Sequence, residues 1–286
     1  MDLTEDEERY VDTFTNAFRI NSGDFDVIFH WLRNDFEQEV VVKLTSSFGC
    51  DEKISVLGVG AGDGSMDEIM IGKLCQHFPR FSYTVVEPGK AIEQFKRRVD
   101  GKDEFKTVDF CWSNITYEEF CRSESESDPK FSFISLLHSA YYLDNLGQSL
   151  RCLMGSLKDG GVLLIMLNRD DHDTTIFLNS LSWKATNTHS GRIDEIKAFA
   201  ASENIRLTTF TFLSKLNVTP CFDETSEEGD KLLDFLTETA YLRRTAPARV
   251  LTETLDVLRT VSKEGDEGTR YFKGACDAIL LFKGPE

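Results

Sequence analysis

The run Gly60-Ala61-Gly62-Asp63-Gly64 follows an apolar segment ending in Val56-Leu57-Gly58-Val59 and precedes a stretch of helical periodicity. Glycines in such a turn let the backbone bend sharply and approach a ligand more closely than side chains permit. Roughly twenty residues further on, Tyr83-Thr84-Val85-Val86 runs into Glu87 and Pro88, where a carboxylate at a strand end can accept both hydroxyls of a ribose. The chemistry implied is adenosine binding, which dinucleotide enzymes share. The turn lacks the GxGxxG spacing that seats a pyrophosphate on a helix N-terminus, and the acids Asp63 and Asp67 would repel that anion while tolerating an ammonium. The expected cofactor is therefore S-adenosyl-L-methionine, held around Gly58, Gly60, Ala61, Gly62, Glu87 and Pro88. A dinucleotide-dependent oxidoreductase is the competing reading.

Those residues need a sheet to position them. Apolar and amphipathic runs alternate as strand 54–59, helix 66–76, strand 83–87, helix 91–99, strands 106–112 and 131–137, helix 145–157 and strand 161–167. A helix at 193–201, a strand at 206–213, helices at 229–239 and 248–261 and a closing strand at 276–282 follow. Two amphipathic helices precede the sheet, the first with Tyr10, Phe14 and Phe18 at every fourth position, the second with Phe25, Ile28, Phe29 and Trp31. Strands separated by helices imply an α/β fold with parallel pairing. The expectation is a Rossmann-like class I methyltransferase: a mostly parallel seven-stranded sheet with helices on both faces and added helices for the substrate pocket. One domain is expected over 1–286, with an N-terminal helical lid at 1–50, a cofactor-binding core at 51–170, and the rest of the sheet with substrate-pocket helices at 171–286.

In open α/β sheets ligands lie beyond the carboxyl ends of the strands, at the switch point. Ser113 to Tyr117, including Thr116, would then sit beside the adenine, and His138 to Tyr142 beside the methionine end. Trp112 reads equally well as a core residue or an adenine contact. The polar stretches 123–129, 223–229 and 263–268 read as solvated loops.

Bulk properties narrow the partners. Acidic residues outnumber basic ones, 49 to 32, for a net charge of −17, and no basic stripe suits nucleic acid. The first residues are acidic rather than signal-like, and no apolar stretch is long enough to span a bilayer, so neither export nor membrane partners are expected. Seven cysteines without CxxC or Cys/His ligand spacing fit reduced thiols in a cytoplasmic protein with no metal.

The chain resembles the histamine N-methyltransferase family over nearly its full length. The likeness rests on Tyr10-Val11 with Phe14, on 54–67, on Val85-Val86-Glu87-Pro88, on Tyr141-Tyr142, on Cys221-Phe222 and on Gly229-Asp230. The run Asp234-Phe235-Leu236-Thr237-Glu238-Thr239, followed by Thr245-Ala246-Pro247, is the most particular part. The resemblance implies that Gly60, Glu87, Tyr117 and Leu137 line the cofactor site, with Ile92 replacing a polar family residue. It also implies a monomer, and an acceptor pocket walled by Tyr10, Phe14, His138, Tyr141, Tyr142 and Phe235, suited to a flat amine. Three further positions depart from the family: Gly23 stands where a Glu is expected, Gly274 for an Asn, and His138 for a Gln. A wider, differently charged pocket is expected, unless Asp24 replaces the lost carboxylate by a one-residue shift.

The expected function is transfer of a methyl group to a nitrogen of a histamine-like or carnosine-like amine. The alternative is a methyltransferase-fold protein that binds a ligand or partner without catalysis. Neutral imidazole needs little base assistance, whereas an ammonium must lose a proton, so His138 and Asp24 are the catalytic candidates. His30, His77, His172 and His189 read as structural.

Overall fold

The computed structural model describes residues 1–124, 130–184 and 191–284. Positions 125–129 of the loop expected at 123–129, and His189, lie outside the described residues. The strands are β1 (Ile54–Val59), β2 (Phe81–Val86), β3 (Val108–Ser113), β4 (Phe131–Leu137), β5 (Leu157–Asn168), β6 (Arg206–Asn217), β7 (Lys263–Glu264) and β8 (Arg270–Phe282). Their order is β3-β2-β1-β4-β5-β8-β6, with β7 pairing β8 off that path. From β3 to β5 all neighbours are parallel. β5 and β8 run antiparallel, since Gly160 and Gly161 bond Lys283 at one end while Arg169 bonds Ala275 at the other.

Three expectations change here. The supposed loop 263–268 contains β7, an eighth strand too short to show a period, and the helix expected from 229 begins at Glu227. β8 starts at Arg270 rather than 276, because its first half mixes exposed and buried positions where its second half is continuously buried.

β1 and β4 are buried on both faces, as inner parallel strands must be, and they read as near-continuous apolar runs. The chain winds from β1 through β2 to β3 on one side and from β4 to β5 on the other, so the switch point lies between β1 and β4. Helices Ser65–His77, Ala91–Val99 and Leu146–Ser156 connect the strands. Asn145 caps the last by accepting from the Gln148 N–H at 2.9 Å, and Lys96, Arg97 and Arg98 complement the negative end of Ala91–Val99.

Contacts group the chain into two compact units. One comprises Phe29–Leu167, Gly191–Phe210 and Asp277–Glu286, with Leu57, Ile134, Leu136, Leu163 and Ile165 in its core. The other comprises Met1–Ile28, Asn168–Ser190 and Thr211–Cys276, around Phe177, Leu216, Leu232, Leu233 and Phe272. The grouping cuts across the consecutive segments 1–50, 51–170 and 171–286. In the second unit, helix Glu7–Thr13 passes through a π-turn at Phe14–Phe18 into Arg19–Asn21.

Candidate active site

At the C-terminal end of β1 the chain turns through Gly60, Gly62 and Gly64 at φ of 64°, 56° and 71°, all in the left-handed region. The Gly60 N–H donates to the Val86 carbonyl at 2.7 Å, tying the turn to β2. A Cβ on Gly60 would lie 2.3 Å from that of Ser139, whose buried hydroxyl donates to the Val59 carbonyl at 2.6 Å. At Gly62 a Cβ would meet nothing within 4 Å, so open space adjoins this part of the turn. Glu87 binds the same turn: one carboxylate oxygen accepts from Gly62 N–H at 2.9 Å and the other from Gly89 N–H at 2.8 Å. A carboxylate offers about four acceptor sites, so these bonds are compatible with accepting ribose hydroxyls as well. Asn114 donates to the Glu87, Pro88 and Gly89 carbonyls and holds the loop that presents the acid. This backbone-lined cradle fits a nucleoside.

The remaining cofactor candidates surround it less uniformly. Ala61 is half-buried, Pro88 exposed, Ile92 buried on its helix, and Leu137 half-buried at the end of β4. Thr116 and Glu119 exchange backbone and side-chain hydrogen bonds as a capping box at the start of helix Tyr117–Glu124. Tyr117 is buried in the apolar core of this unit. Trp112 stacks on Phe110 at 5.2 Å and meets Phe95 edge-on, which favours its core reading.

The two acids at the turn have different employment from the one expected. Asp63 is paired with Arg98 at 2.7 Å and caps Ser65, while Arg98 Nε also donates to the Asp63 carbonyl. Asp67 points into the core, where it accepts from the Tyr83 hydroxyl at 2.6 Å. Gly58 makes room for that pair, since a Cβ there would lie 3.0 Å from Asp67 and 3.1 Å from the Tyr83 oxygen. Burial pushes the Asp67 carboxyl up to about 7, with the charges of Asp63 and Glu87 adding to the effect. Arg98, Ser139 and Asn114 therefore shape the cradle. Residue type alone gives no sign of the first, and the other two were visible only as members of strand-end segments.

Past β4, His138 adopts a left-handed backbone at φ 54°, a strain of about 1–2 kcal/mol for a residue with a Cβ. Its N–H donates to the Met166 carbonyl at 3.0 Å. Its ring stacks on Tyr141 at 6.3 Å, and Tyr142, 61% exposed, stands edge-on to Tyr141. Arg192 pins this turn by donating to the Tyr141 and Leu143 carbonyls. His138, Tyr141 and Tyr142 form one group, in the unit that holds the cradle.

Tyr10, Phe14 and Phe235 form another, in the second unit, joined by Phe18 and Phe25. Phe14 lies 5.7 Å from Phe25, 5.8 Å from Phe235 and 6.2 Å from Phe18, and Phe18 stacks on Phe235 at 4.3 Å. The buried Asp234 accepts from Arg9 and from the Tyr241 and Leu242 N–H groups, fixing the helix end that carries Phe235.

Beside Phe25, Asp24 is 5% exposed and accepts from the Ser22 and Ser214 hydroxyls. Its neighbour Gly23 donates its N–H to the Lys215 carbonyl at 2.8 Å. A Cβ on Gly274 would lie 1.8 Å from Ser214 Oγ and 2.7 Å from Asp24 Oδ1. The space beside Gly274 is thus filled by a hydroxyl and a carboxylate rather than left open.

A methyltransferase-domain family model matches residues 31–200. The solved YcgJ protein from Bacillus subtilis shares the fold at 16% identity and a TM-score of 0.54, covering 86% of this chain and 100% of its own. Histamine N-methyltransferase from Danio rerio is 31% identical over 98% of this chain and 97% of its own length. The Mus musculus enzyme of that name is 27% identical over 92% of each, and carnosine N-methyltransferase 2 from Gallus gallus is 27% identical over 84% of this chain and 76% of its own. A likeness at 31% identity that extends over 98% of the chain leaves one conclusion: the chain belongs to the histamine N-methyltransferase family of S-adenosylmethionine-dependent methyltransferases.

Proposed function

We propose that this enzyme methylates a nitrogen of a small amine or imidazole compound of the histamine or carnosine kind, with Asp24 binding the cationic end. The observation that carries this reading is a carboxylate beside the two altered positions: Asp24, one residue beyond Gly23, is buried among hydroxyls in the space Gly274 leaves. A buried carboxylate supported by hydroxyl donors stays competent to pair with an ammonium. Tyr10, Phe14 and Phe235 supply aromatic faces for a flat cation. Bound S-adenosylmethionine supplies a methyl group already activated by its sulfonium. Gly60, Gly62 and Glu87 hold the nucleoside, with Ile92, Thr116, Tyr117 and Leu137 around it. His138 accepts the proton that a cationic nucleophile must lose, or orients a neutral ring nitrogen that needs no base.

Steady-state kinetics with histamine and carnosine test the assignment. Asp24→Asn should raise KM for the amine about tenfold or more, the loss of a charge-assisted contact, with S-adenosylmethionine affinity unchanged. Unchanged amine KM would remove Asp24 from the site. The enzyme is further taken to work as a monomer in the cytoplasm, which its seven free thiols suit. A concentration-dependent sedimentation coefficient would contradict the first point.

A further inference from the structure

His172 is fully buried and starts the helix Asp173–Ser180. Its Nδ1 accepts from the Thr174 N–H at 3.1 Å, so that nitrogen carries a lone pair and the ring proton belongs on Nε2. Nε2 lies 3.5 Å from Asp24 Oδ2 and makes no hydrogen bond among the described residues. A buried donor of this kind is costly unless a partner completes it, and the adjacent carboxylate oxygen needs only a small shift to do so. Ser22 and Ser214 donate to the same carboxylate, and Gly274 leaves the space in which Ser214 and Asp24 meet. Four segments distant in sequence thus converge on one acid.

We infer that His172 is a positioning residue for the amine-binding carboxylate: locked in its Nε2–H form by Thr174, it holds Asp24 at the orientation that receives the substrate's cation. The inference rests on the reading of Asp24 as the amine anchor. The lock also fixes what the pair does not do. With Nδ1 committed to a backbone N–H, His172 has no second site through which to pass a proton onward, so it orients Asp24 rather than relaying from it.

Two substitutions separate this role from plain helix capping. His172→Asn keeps an acceptor near the Nδ1 position and loses the donor toward Asp24, whereas His172→Gln keeps a donor near Nε2 and loses the cap. With histamine as the probe, His172→Asn should raise KM about tenfold while kcat and calorimetric S-adenosylmethionine affinity stay within about twofold, and His172→Gln should restore most of the KM. Ser214→Ala, which leaves the helix untouched, should also raise KM. Wild-type KM in both His172→Asn and Ser214→Ala, or impairment confined to His172→Gln, would overturn the inference. Asp24→Asn serves as the reference: normal KM in that variant would sink the amine-anchor reading itself, whereas a raised KM there with wild-type behaviour at His172 and Ser214 would sink only the positioning role.

Discussion

Glu87 joins two backbone N–H groups on different sides of the cradle, so its removal should loosen the turn as well as the ribose contact. We expect Glu87→Ala to weaken S-adenosylmethionine binding by about tenfold to a hundredfold in calorimetry. His138→Ala should instead slow methyl transfer by about a hundredfold where the acceptor is a cationic nitrogen, with cofactor affinity unchanged, a contrast read from single-turnover rates beside titrations. Asp67 adds a pH dependence. Its folded carboxyl titrates near 7 against 3.8 for an ordinary aspartate, so between those values the folded state keeps a proton that the unfolded state has released. Stability should therefore fall as pH rises through that window, and Asp67→Asn should flatten the decline in denaturant titrations. At this scale residue types named the candidates for the site, but not which way side chains point: Asp63 and Asp67 were visible as acids, and nothing local told that one meets Arg98 and the other Tyr83. His172 looked like a core histidine because its link to Asp24 bridges distant segments.

Elements explain two glycines that carry no ligand argument. Gly64 starts the helix Ser65–His77 at φ 71°, and a Cβ there would press 2.1 Å from the Phe95 ring. Gly64→Ala should cost about 2–4 kcal/mol of stability, measured by denaturant unfolding, from backbone strain and overpacking. Gly229 lets helix Glu227–Thr237 approach the turn Thr219–Phe222, where a Cβ would lie 2.0 Å from the Pro220 carbonyl oxygen, and this explains why glycine stands in the Gly229-Asp230 pair. The central strands were legible because inner parallel strands are apolar on both faces. β7 and the first half of β8 were not, lacking any sustained period. The π-turn at Phe14–Phe18 was hidden too, since an every-fourth aromatic spacing looks like uninterrupted α-helix.

For the whole molecule, the fold class followed from the alternation of strands and helices, but the grouping into two compact units did not, because each unit is assembled from three separated stretches. The acidic excess, −17 overall, should draw a cationic amine toward the protein, so kcat/KM for histamine should fall as ionic strength rises. The most direct test of the central claim is transfer of a radiolabelled methyl group from S-adenosylmethionine to histamine, carnosine, histidine and aromatic monoamines in parallel. We expect label on a nitrogen of histamine or carnosine, abolished or strongly reduced in Glu87→Ala. Tight binding of S-adenosylmethionine with no label on any amine would contradict it.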